Sequence, residues 1–375
     1  MKFNVQSKLL LSQLQAVSKV INTKNAMSIL DNFLFEVKGE RLYITGSDQE
    51  NVMTASLDIT DVEGEGSVAL GARRLLDMLK ELPAQGVTID VNEENLETDV
   101  RFLSGHFLFM GVNADEFPRD THASDNAQTL RIPAQVVQKG IENTIFAVST
   151  DTLRPVMMGI YWDIHNEDIT FVSSDTHKLV RYINREIKPG LERAFIMPAK
   201  PAGILRGIIS KEDTEVNVTV GEKHATFTVG DYELVCRFIN GNYPNYNRVI
   251  PQDNPFTLKA DRETLLNAMR RMGLFASSGS MLVKLDIKAD HIHLSAQDAD
   301  YGLNAEENVP CEYQGNDMVI GFKAPYMIEV LNSLKSDEVL LRLSDPARPG
   351  IFVPGEEKED EDILVLLMPM QTFDY

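Results

Sequence analysis

The sequence predicts an α+β fold built from three tandem copies of one domain, each with two helices packed on mostly antiparallel sheet. Three observations predict it: a hairpin pattern that occurs three times, further landmarks with the same spacing, and two helical patterns in every copy. The repeat step is close to 125 residues. Because solenoid units are only roughly 20–50 residues long, the repeated object is a whole domain.

The hairpin is the clearest of the three signals. Apolar and polar residues alternate on both sides of a Gly turn in residues 33–48 (FLFEVKGERLYITGSD), a pattern typical of two antiparallel strands with one buried face. The same arms, polar turn and small-polar run return in residues 160–175 and 283–298. The three segments end at Asp48, Asp175 and Asp298.

Other landmarks recur with the same spacing of about 125 residues. An Ala opens the second helical pattern of each copy, and an aromatic residue or Met precedes Pro near each copy's end. These landmarks are Ala72, Ala199 and Ala324, and then Phe117-Pro118, Tyr243-Pro244 and Met368-Pro369. Landmarks in register favour a triplication over coincidence, with domains at 1–124, 125–253 and 254–375 separated by polar segments at 121–128 and 251–255.

Each copy is predicted to open with a strand and an amphipathic helix, at 7–21, 133–147 and 261–275. A second helix is predicted after the hairpin, at 72–82, 198–209 and 323–335, followed by closing strands. Ser7 and Asp261 are predicted N-caps, and Pro133 is predicted in the first helical turn, where its missing N–H costs nothing.

The composition is that of an ordinary soluble globular protein, with 43% hydrophobic and 7% aromatic residues. No apolar run approaches the roughly 18 residues that a membrane span needs, and the first residues lack a signal-peptide pattern. Cys236 and Cys311 fall in different copies and are predicted to be reduced thiols. We therefore expect a cytoplasmic protein.

The formal net charge of −20 argues against nucleic acid unless the basic residues are segregated on one surface. The six helical windows hold thirteen Lys and Arg against six Asp and Glu. These basic residues are Lys8, Lys19, Arg73, Arg74, Lys80, Lys139, Lys200, Arg206, Arg262, Arg270, Arg271, Lys323 and Lys335. The pattern predicts basic helices on an acidic body; the alternative is solvated helix faces of mixed charge.

No catalytic signature is present: we find no phosphate-binding Gly-rich loop, HExxH, CxxC pair or nucleophile elbow. The sequence therefore predicts neither an enzyme nor a cofactor or metal. Asp175 and His177 could form an acid–base pair, but no nucleophile accompanies them. His291 and His293 have metal-like spacing on one strand, but a surface hairpin is favoured because no third ligand is evident.

Two further segments allow more than one interpretation. The apolar run at 363–370 is either a terminal core strand or, because of its two Met residues, a surface that accepts several partners. The acidic segment at 356–362 (EEKEDED) is predicted to be a solvated hairpin tip.

Motifs along the whole chain resemble one family. The opening MKF, SILDNFLFEV, SSDTHKLVRY, GNYPNYNRVIP and the final LLMPM are similar to segments of the bacterial DNA polymerase III β subunit, the sliding clamp. The resemblance implies a homodimeric head-to-tail ring of six domains that encircles duplex DNA without sequence preference. It also implies a non-catalytic processivity subunit that docks the polymerase III catalytic subunit, the clamp loader and repair proteins through short linear motifs.

The family's partner groove lies between domains 2 and 3. Carried over by position, it falls on Met157, Ser174, Thr176, His177, Lys178, Leu179, Pro244, Arg248, Val249, Leu366, Met368, Pro369 and Met370. Thr176 and Lys178 stand where the family often has Gly and Arg, which predicts a narrower rim. Past LMPM the chain continues to Phe373 and Tyr375, which could cap the groove.

The resemblance also implies DNA contacts and a subunit joint. Lys24 and Arg154 match basic loop positions of the family, whereas Pro155 and Val156 stand where some members carry tyrosines. With the basic helices, the predicted DNA-binding residues are Lys24, Arg73, Arg74, Lys80, Lys139, Arg154, Lys200 and Arg206. The predicted dimer interface pairs Phe107 and Phe109 with Leu274 and Phe275. The alternative function is a three-domain peptide-binding scaffold that does not encircle DNA.

Overall fold

The computed structural model describes residues 1–118, 127–211 and 213–372. The predicted boundary at 124/125 and the residues Phe373 and Tyr375 lie outside these ranges. Every pair of strands in the described residues is antiparallel, and six α-helices pack against the sheets. The predicted α+β class is therefore confirmed.

A similar order of strands and helices occurs three times, with one strand fewer between the helices of the second copy. The first copy contains β1 (Lys2–Gln6), α1 (Ser7–Val17), β2 (Asn32–Lys38), β3 (Arg41–Ser47), β4 (Asn51–Asp58), β5 (Thr60–Glu63), β6 (Gly66–Gly71), α2 (Ala72–Glu81), β7 (Gly86–Val91), β8 (Glu97–Phe102) and β9 (Gly105–Met110). The second contains β10 (Gln128–Pro133), α3 (Ala134–Thr144), β11 (Gly159–Ile164), β12 (Ile169–Ser174), β13 (Lys178–Asn184), β14 (Arg193–Pro198), α4 (Ala199–Ile208), β15 (Glu215–Val220), β16 (His224–Val229) and β17 (Tyr232–Arg237). The third contains β18 (Phe256–Asp261), α5 (Arg262–Gly273), β19 (Leu282–Ile287), β20 (His291–Asp298), β21 (Leu303–Pro310), β22 (Glu312–Gln314), β23 (Met318–Lys323), α6 (Ala324–Ser333), β24 (Glu338–Leu343), β25 (Gly350–Pro354) and β26 (Glu361–Leu367).

The three predicted hairpins are present as β2–β3, β11–β12 and β19–β20. In the first, Lys38 pairs with Arg41 across a turn in which Gly39 has φ +57°, a conformation that favours glycine. The closing aspartates have one common role. Asp48 accepts backbone N–H groups of Glu50 and Asn51, and the side chains of Asp175 and Asp298 likewise accept N–H groups two or three residues on.

Two of the predicted helix starts are wrong. Asp261 is an N-cap as predicted, since its carboxylate accepts the N–H of Thr264 at 2.7 Å. Ser7 is instead the first helical residue of α1, because its buried hydroxyl donates to the Pro83 carbonyl and Gln6 takes the cap position. Pro133 ends β10, where it pairs with Glu215, and α3 begins one residue later.

The chain forms two compact units. The first comprises the described parts of 1–137 and 200–238. Its sheets have the orders β5-β1-β7-β8-β9 and β10-β15-β16-β17-β4-β3-β2-β6. In the longer sheet, β17 of the second copy pairs with β4 of the first, so one continuous sheet joins strands of both copies.

The second unit comprises the described parts of 138–199 and 239–375. Its sheets have the orders β14-β11-β12-β13-β26-β25-β24-β18-β22 and β21-β20-β19-β23. β13 of the second copy pairs with β26 of the third over seven residue pairs, from Lys178↔Leu367 to Asn184↔Glu361. Alternate residues of these strands enter two apolar clusters: Val180 and Val365 join the core beneath α5 and α6, whereas Leu179 and Leu366 join a smaller cluster.

Candidate functional site

A cavity of about 250 Å³ lies in the second unit above the smaller apolar cluster. Three segments meet there: the turn between β12 and β13, residues 243–249, and the end of β26. The lining residues are Met157, Ser174, Thr176, Lys178, Leu179, Tyr243, Pro244, Asn245, Tyr246, Val249, Leu366 and Met368. Most of the residues predicted for the partner groove therefore come together around one cavity.

The floor of the cavity is apolar because of strand alternation. Leu179 and Leu366 are register partners in β13 and β26, so their side chains lie side by side on one face of the sheet. Val172, Ile351 and Ile250 pack against the same cluster. The apolar run at 363–370 is a buried strand, β26, over Glu361–Leu367, and Met368 just after it is exposed beside the cavity.

Tyrosines form one wall. The rings of Tyr161 and Tyr243 stack with centroids 4.7 Å apart, and Tyr246 meets Tyr161 edge-on. The hydroxyl of Tyr246 donates to Asp163 Oδ2 at 2.9 Å. Burial raises the pKa of Tyr243 and of Tyr246, with the Asp163 charge adding to the shift at Tyr246, so both hydroxyls stay protonated. This wall is amphipathic, because it combines aromatic rings with hydroxyl groups.

Lys178 forms the opposite rim and is only 4% exposed. Its ammonium lies 2.6 Å from Asp175 and 3.0 Å from Glu329, and it sits over the ring of Tyr326. Burial opposes the charge, but the hydrogen bonds to the two carboxylates outweigh it and raise the pKa of Lys178. The positive charge is therefore neutralised by the protein itself, so we do not expect it to attract an acidic ligand.

Thr176 lies at the rim with φ +78°, in the left-handed region. That region is unusual for a β-branched residue, because its Cβ crowds the backbone. Gln49 has φ +79° at the same place in the first copy, so the first two copies share this turn geometry.

Four predicted groove residues do not line the cavity. His177 stacks on Tyr326, while its carbonyl accepts the N–H of Met368. Arg248 is exposed in the turn Tyr246–Arg248, and Pro369 lies between Met368 and Met370, whose N–H binds the Gly321 carbonyl. Conversely, the prediction missed Tyr243, Asn245 and Tyr246, although all three stand in the quoted motif GNYPNYNRVIP.

The predicted DNA-binding residues fall into two groups. Lys24, Arg73, Arg74 and Arg206 are exposed, and none forms an ion pair with another residue of the described ranges. Arg73 and Arg74 lie on the outer face of α2, and Arg206 lies near the end of α4. Such cations are free to meet an external anion.

The other four predicted DNA-binding residues form ion pairs with acidic residues of the chain. Lys80 lies 3.3 Å from Asp77 and Arg154 lies 3.9 Å from Asp151. Lys200 reaches Asp48 at 2.6 Å and also binds the Val20 carbonyl. Lys139 pairs with Glu361.

The acidic segment at 356–362 is more than a solvated tip. Glu361 and Asp362 belong to β26, and they hold Lys139 and Arg181, respectively. Glu357 lies 3.6 Å from Arg342. The expectation of a purely solvated turn is therefore wrong for its last residues.

One edge strand exposes several apolar side chains, and the other is mostly polar but lies beside an exposed apolar pair. β9 lies at one edge of its sheet, with Phe107 and Leu108 exposed and Phe109 partly buried. β21 lies at the edge of the last sheet, and Leu274 and Phe275 are exposed just after α5, which packs against β21. An exposed apolar edge is a surface on which another chain can pair.

The alternative chemical sites have other roles. The Asp175 carboxylate is occupied by Lys178 and by the backbone of its own turn, and the ring of His177 stacks on Tyr326. His291 contacts Asp290 and His293 contacts Asn308. In the described ranges, no group of three or more His, Cys, Asp or Glu residues is placed to hold a metal ion.

Cys236 and Cys311 are free thiols, the first buried and the second partly so. Burial raises the pKa of Cys236 to about 12 and that of Cys311 to about 11, so both are protonated near neutral pH. Among the described residues, no helix has the length and apolar content needed to cross a membrane.

Sequence models of one family match almost the whole chain. They are described as the N-terminal, central and C-terminal domains of the DNA polymerase III beta subunit, and they match residues 1–121, 131–245 and 247–371. The chain belongs to the DNA polymerase III beta subunit family. Like other members, it has the three-domain clamp fold of six helices and antiparallel sheets.

Named relatives of this family are sliding clamps. The beta sliding clamp of Staphylococcus aureus (strain Mu50) is 27% identical over 384 aligned positions, which cover 100% of both chains. The crystal structure of the sliding clamp from Pseudomonas aeruginosa bound to griselimycin has a TM-score of 0.94 and 25% identity, covering 99% of this chain and 100% of that one. The clamp from Bacillus subtilis has a TM-score of 0.93 and 25% identity over 100% of both chains. These relatives support a sliding clamp of DNA replication rather than a scaffold that does not encircle DNA.

Proposed function

We propose that two copies of this chain close head to tail into a ring of six domains, which encircles duplex DNA and tethers the replicative polymerase. The observation that carries the proposal is the pattern of strand pairing. Within the chain, β4 of the first copy pairs with β17 of the second, and β13 of the second pairs with β26 of the third. The corresponding strands left at sheet edges are β21 and β9.

A second chain supplies both missing partners. β21 of one subunit pairs with β9 of the other, and the two-fold operation repeats the contact at the opposite joint. Phe107 and Phe109 then meet Leu274 and Phe275, which gives the joint an apolar centre. Closure also removes two edges that would otherwise promote aggregation.

Light scattering tests the dimer. At micromolar concentration the mass should be about twice the 42.0 kDa of one chain. Phe107→Asp, which places a carboxylate in the joint, should reduce the mass to that of a monomer. Leu153→Asp is the matched control, since Leu153 is an exposed loop residue of the second copy and belongs to neither edge strand. A monomeric wild-type protein would contradict the ring.

DNA is held by the exposed basic residues Lys24, Arg73, Arg74 and Arg206. Their contacts are with phosphates, which attract any sequence and weaken as salt rises. The net charge of −20 repels DNA from the rest of the surface. We infer that Lys80, Lys139, Arg154 and Lys200 contribute less, because acids of the chain already compensate them.

The cavity beside Met368 is the partner groove. Its apolar floor and tyrosine wall suit short linear motifs of the polymerase III catalytic subunit, the clamp loader and repair proteins. Deletion of residues 368–375 should leave the dimer intact and abolish polymerase stimulation. Met368→Glu should do the same without shortening the chain, and stimulation that survives both changes would refute the assignment.

This role needs no catalytic group and no cofactor, and we propose a non-catalytic subunit working in the cytoplasm. Its three domains span 1–124, 125–253 and 254–375. Limited proteolysis would test these boundaries, with early cleavage expected in the polar segments at 121–128 and 251–255.

A further inference from the structure

We propose that Asp163 and His165 position Tyr246 in the groove wall, so that a partner peptide binds more tightly when His165 is protonated. The inference rests on the proposed function of the groove. Neither residue lines the cavity, and neither was among the residues carried over from the family. Both act through Tyr246 and are positioning residues.

The geometry is a chain of polar contacts that begins at the groove. Tyr246 lines the cavity and is 9% exposed. Its hydroxyl donates to Asp163 Oδ2 at 2.9 Å, and His165 Nε2 lies 3.4 Å from the same oxygen. On its other side, His165 Nδ1 lies 3.0 Å from Glu192 Oε2. One carboxylate oxygen is therefore shared between the groove tyrosine and the histidine.

Both ring nitrogens of His165 face carboxylates, and this decides which form of the ring fits. A neutral imidazole has one N–H donor and one acceptor, so one nitrogen would direct its lone pair at a carboxylate. The imidazolium donates on both sides. The arrangement thus favours the charged ring, which holds Asp163 Oδ2 from the side opposite the tyrosine.

The charged surroundings of His165 are mainly acidic. Asp163 is in β11, which ends one residue before His165; Asp168 lies in the turn to β12; and Glu192 precedes β14. Arg193, the first residue of β14, is the register partner of Ile164. The Asn166 amide also donates to Glu192 and fixes that carboxylate.

These groups determine the direction of the pH effect. Burial alone would lower the pKa of His165, but the hydrogen bond to Glu192 and the charges of Asp163, Asp168 and Glu192 outweigh it and raise the pKa. A raised value means that the stabilising contact is complete below the ordinary histidine pKa and disappears as the pH rises through the higher folded value. Above that pH the ring keeps one N–H. Glu192 is the nearer carboxylate, at 3.0 Å against 3.4 Å for Asp163, so the N–H stays with Glu192 and Asp163 loses one of its two partners.

The effect reaches the groove because Tyr246 begins the short 3-10 turn Tyr246–Arg248, which presents Val249 to the cavity. Tyr246 can rotate when its hydrogen-bond acceptor is held less firmly. Peptide binding must then order the side chain, and the lost conformational entropy lowers the affinity. The net contribution of one such hydrogen bond corresponds to about a two- to tenfold change in affinity. We expect about threefold, since the side chain of His165 is partly exposed.

The test is a binding titration by fluorescence anisotropy. The probe is a labelled peptide carrying the clamp-binding segment of the polymerase III catalytic subunit from the same organism, titrated with the full-length dimer at about pH 6 and about pH 8.5. Wild type should bind about threefold more tightly at the lower pH. His165→Gln and Tyr246→Phe should each bind with an affinity that no longer differs between the two pH values.

His293→Gln is the matched control. His293 lies in β20 of another sheet, where it contacts Asn308 and does not line the cavity, so this variant should keep the wild-type difference. Equal wild-type affinity at both pH values would overturn this inference but not the groove function. The same holds if the affinity of His165→Gln still differs between the two pH values. Absence of binding at either pH would overturn the groove function and the inference together.

Discussion

At the scale of single residues, two residues that line the cavity have features that the structure explains. Thr176 takes φ +78° despite its branched side chain. Lys178 is held by Asp175 and Glu329 rather than left for a ligand. The sequence predicted that both residues belong to the groove, but strain and charge compensation depend on backbone angles and partners that spacing does not reveal.

Thr176→Gly should stabilise the protein by about 0.5–1 kcal/mol, because relief of the left-handed strain exceeds the extra entropy of glycine in the unfolded chain. Denaturant unfolding measures the change. Gln49→Gly, at the same turn of the first copy, should also increase the free energy of unfolding, and it should leave peptide binding unchanged. Loss of stability in Thr176→Gly would show that the turn is not strained.

Lys178→Met should destabilise the protein by about 2 kcal/mol, because it leaves the largely buried Asp175 without its charged partner. Lys178→Arg should retain most of the stability, since a guanidinium can still pair with both carboxylates. Lys188→Met is the control on an exposed pair with Glu167, where no measurable loss is expected. An equal effect at positions 178 and 188 in denaturant unfolding would contradict this account of the rim.

At the scale of elements, the helices and hairpins were predictable because their signals are local. The windows predicted for α2 and α4 end within one residue of the observed bounds, and the three hairpins occur where the alternation placed them. The pairing of β4 with β17 could not be predicted, because these strands are about 180 residues apart and alternation says nothing about which edges meet. The ion pairs of Lys139 and Lys200 were missed for the same reason.

The helices also permit a test of DNA contact. Replacing Arg73 and Arg74 by Ser should lower the slope of log affinity against log salt by about 1 to 2, because each phosphate contact releases about one counterion. Lys80→Ser, on the same helix but paired with Asp77, should change the slope less. The measurement is a salt titration of binding to a short duplex, and an unchanged slope in the double variant would remove α2 from the DNA-binding surface.

At the scale of the whole molecule, the family assignment, the repeated strand junctions and the exposed edges support one architecture. A chain whose copies are joined by strand pairing, and whose first and last sheets each leave an edge strand open, is suited to closing with a second chain. A ring of this kind holds DNA by enclosure, so its direct contacts can be weak. That is compatible with a protein whose formal net charge is −20.

The most direct measurement is retention on circular and linear DNA. The protein is loaded by the clamp loader onto nicked circular plasmid, freed of unbound protein, and followed by gel filtration before and after one restriction cut. We predict that it stays with the closed circle at high salt and is lost once the circle is linearised. Equal loss from both templates, or equal retention on both, would contradict a ring that holds DNA by encircling it.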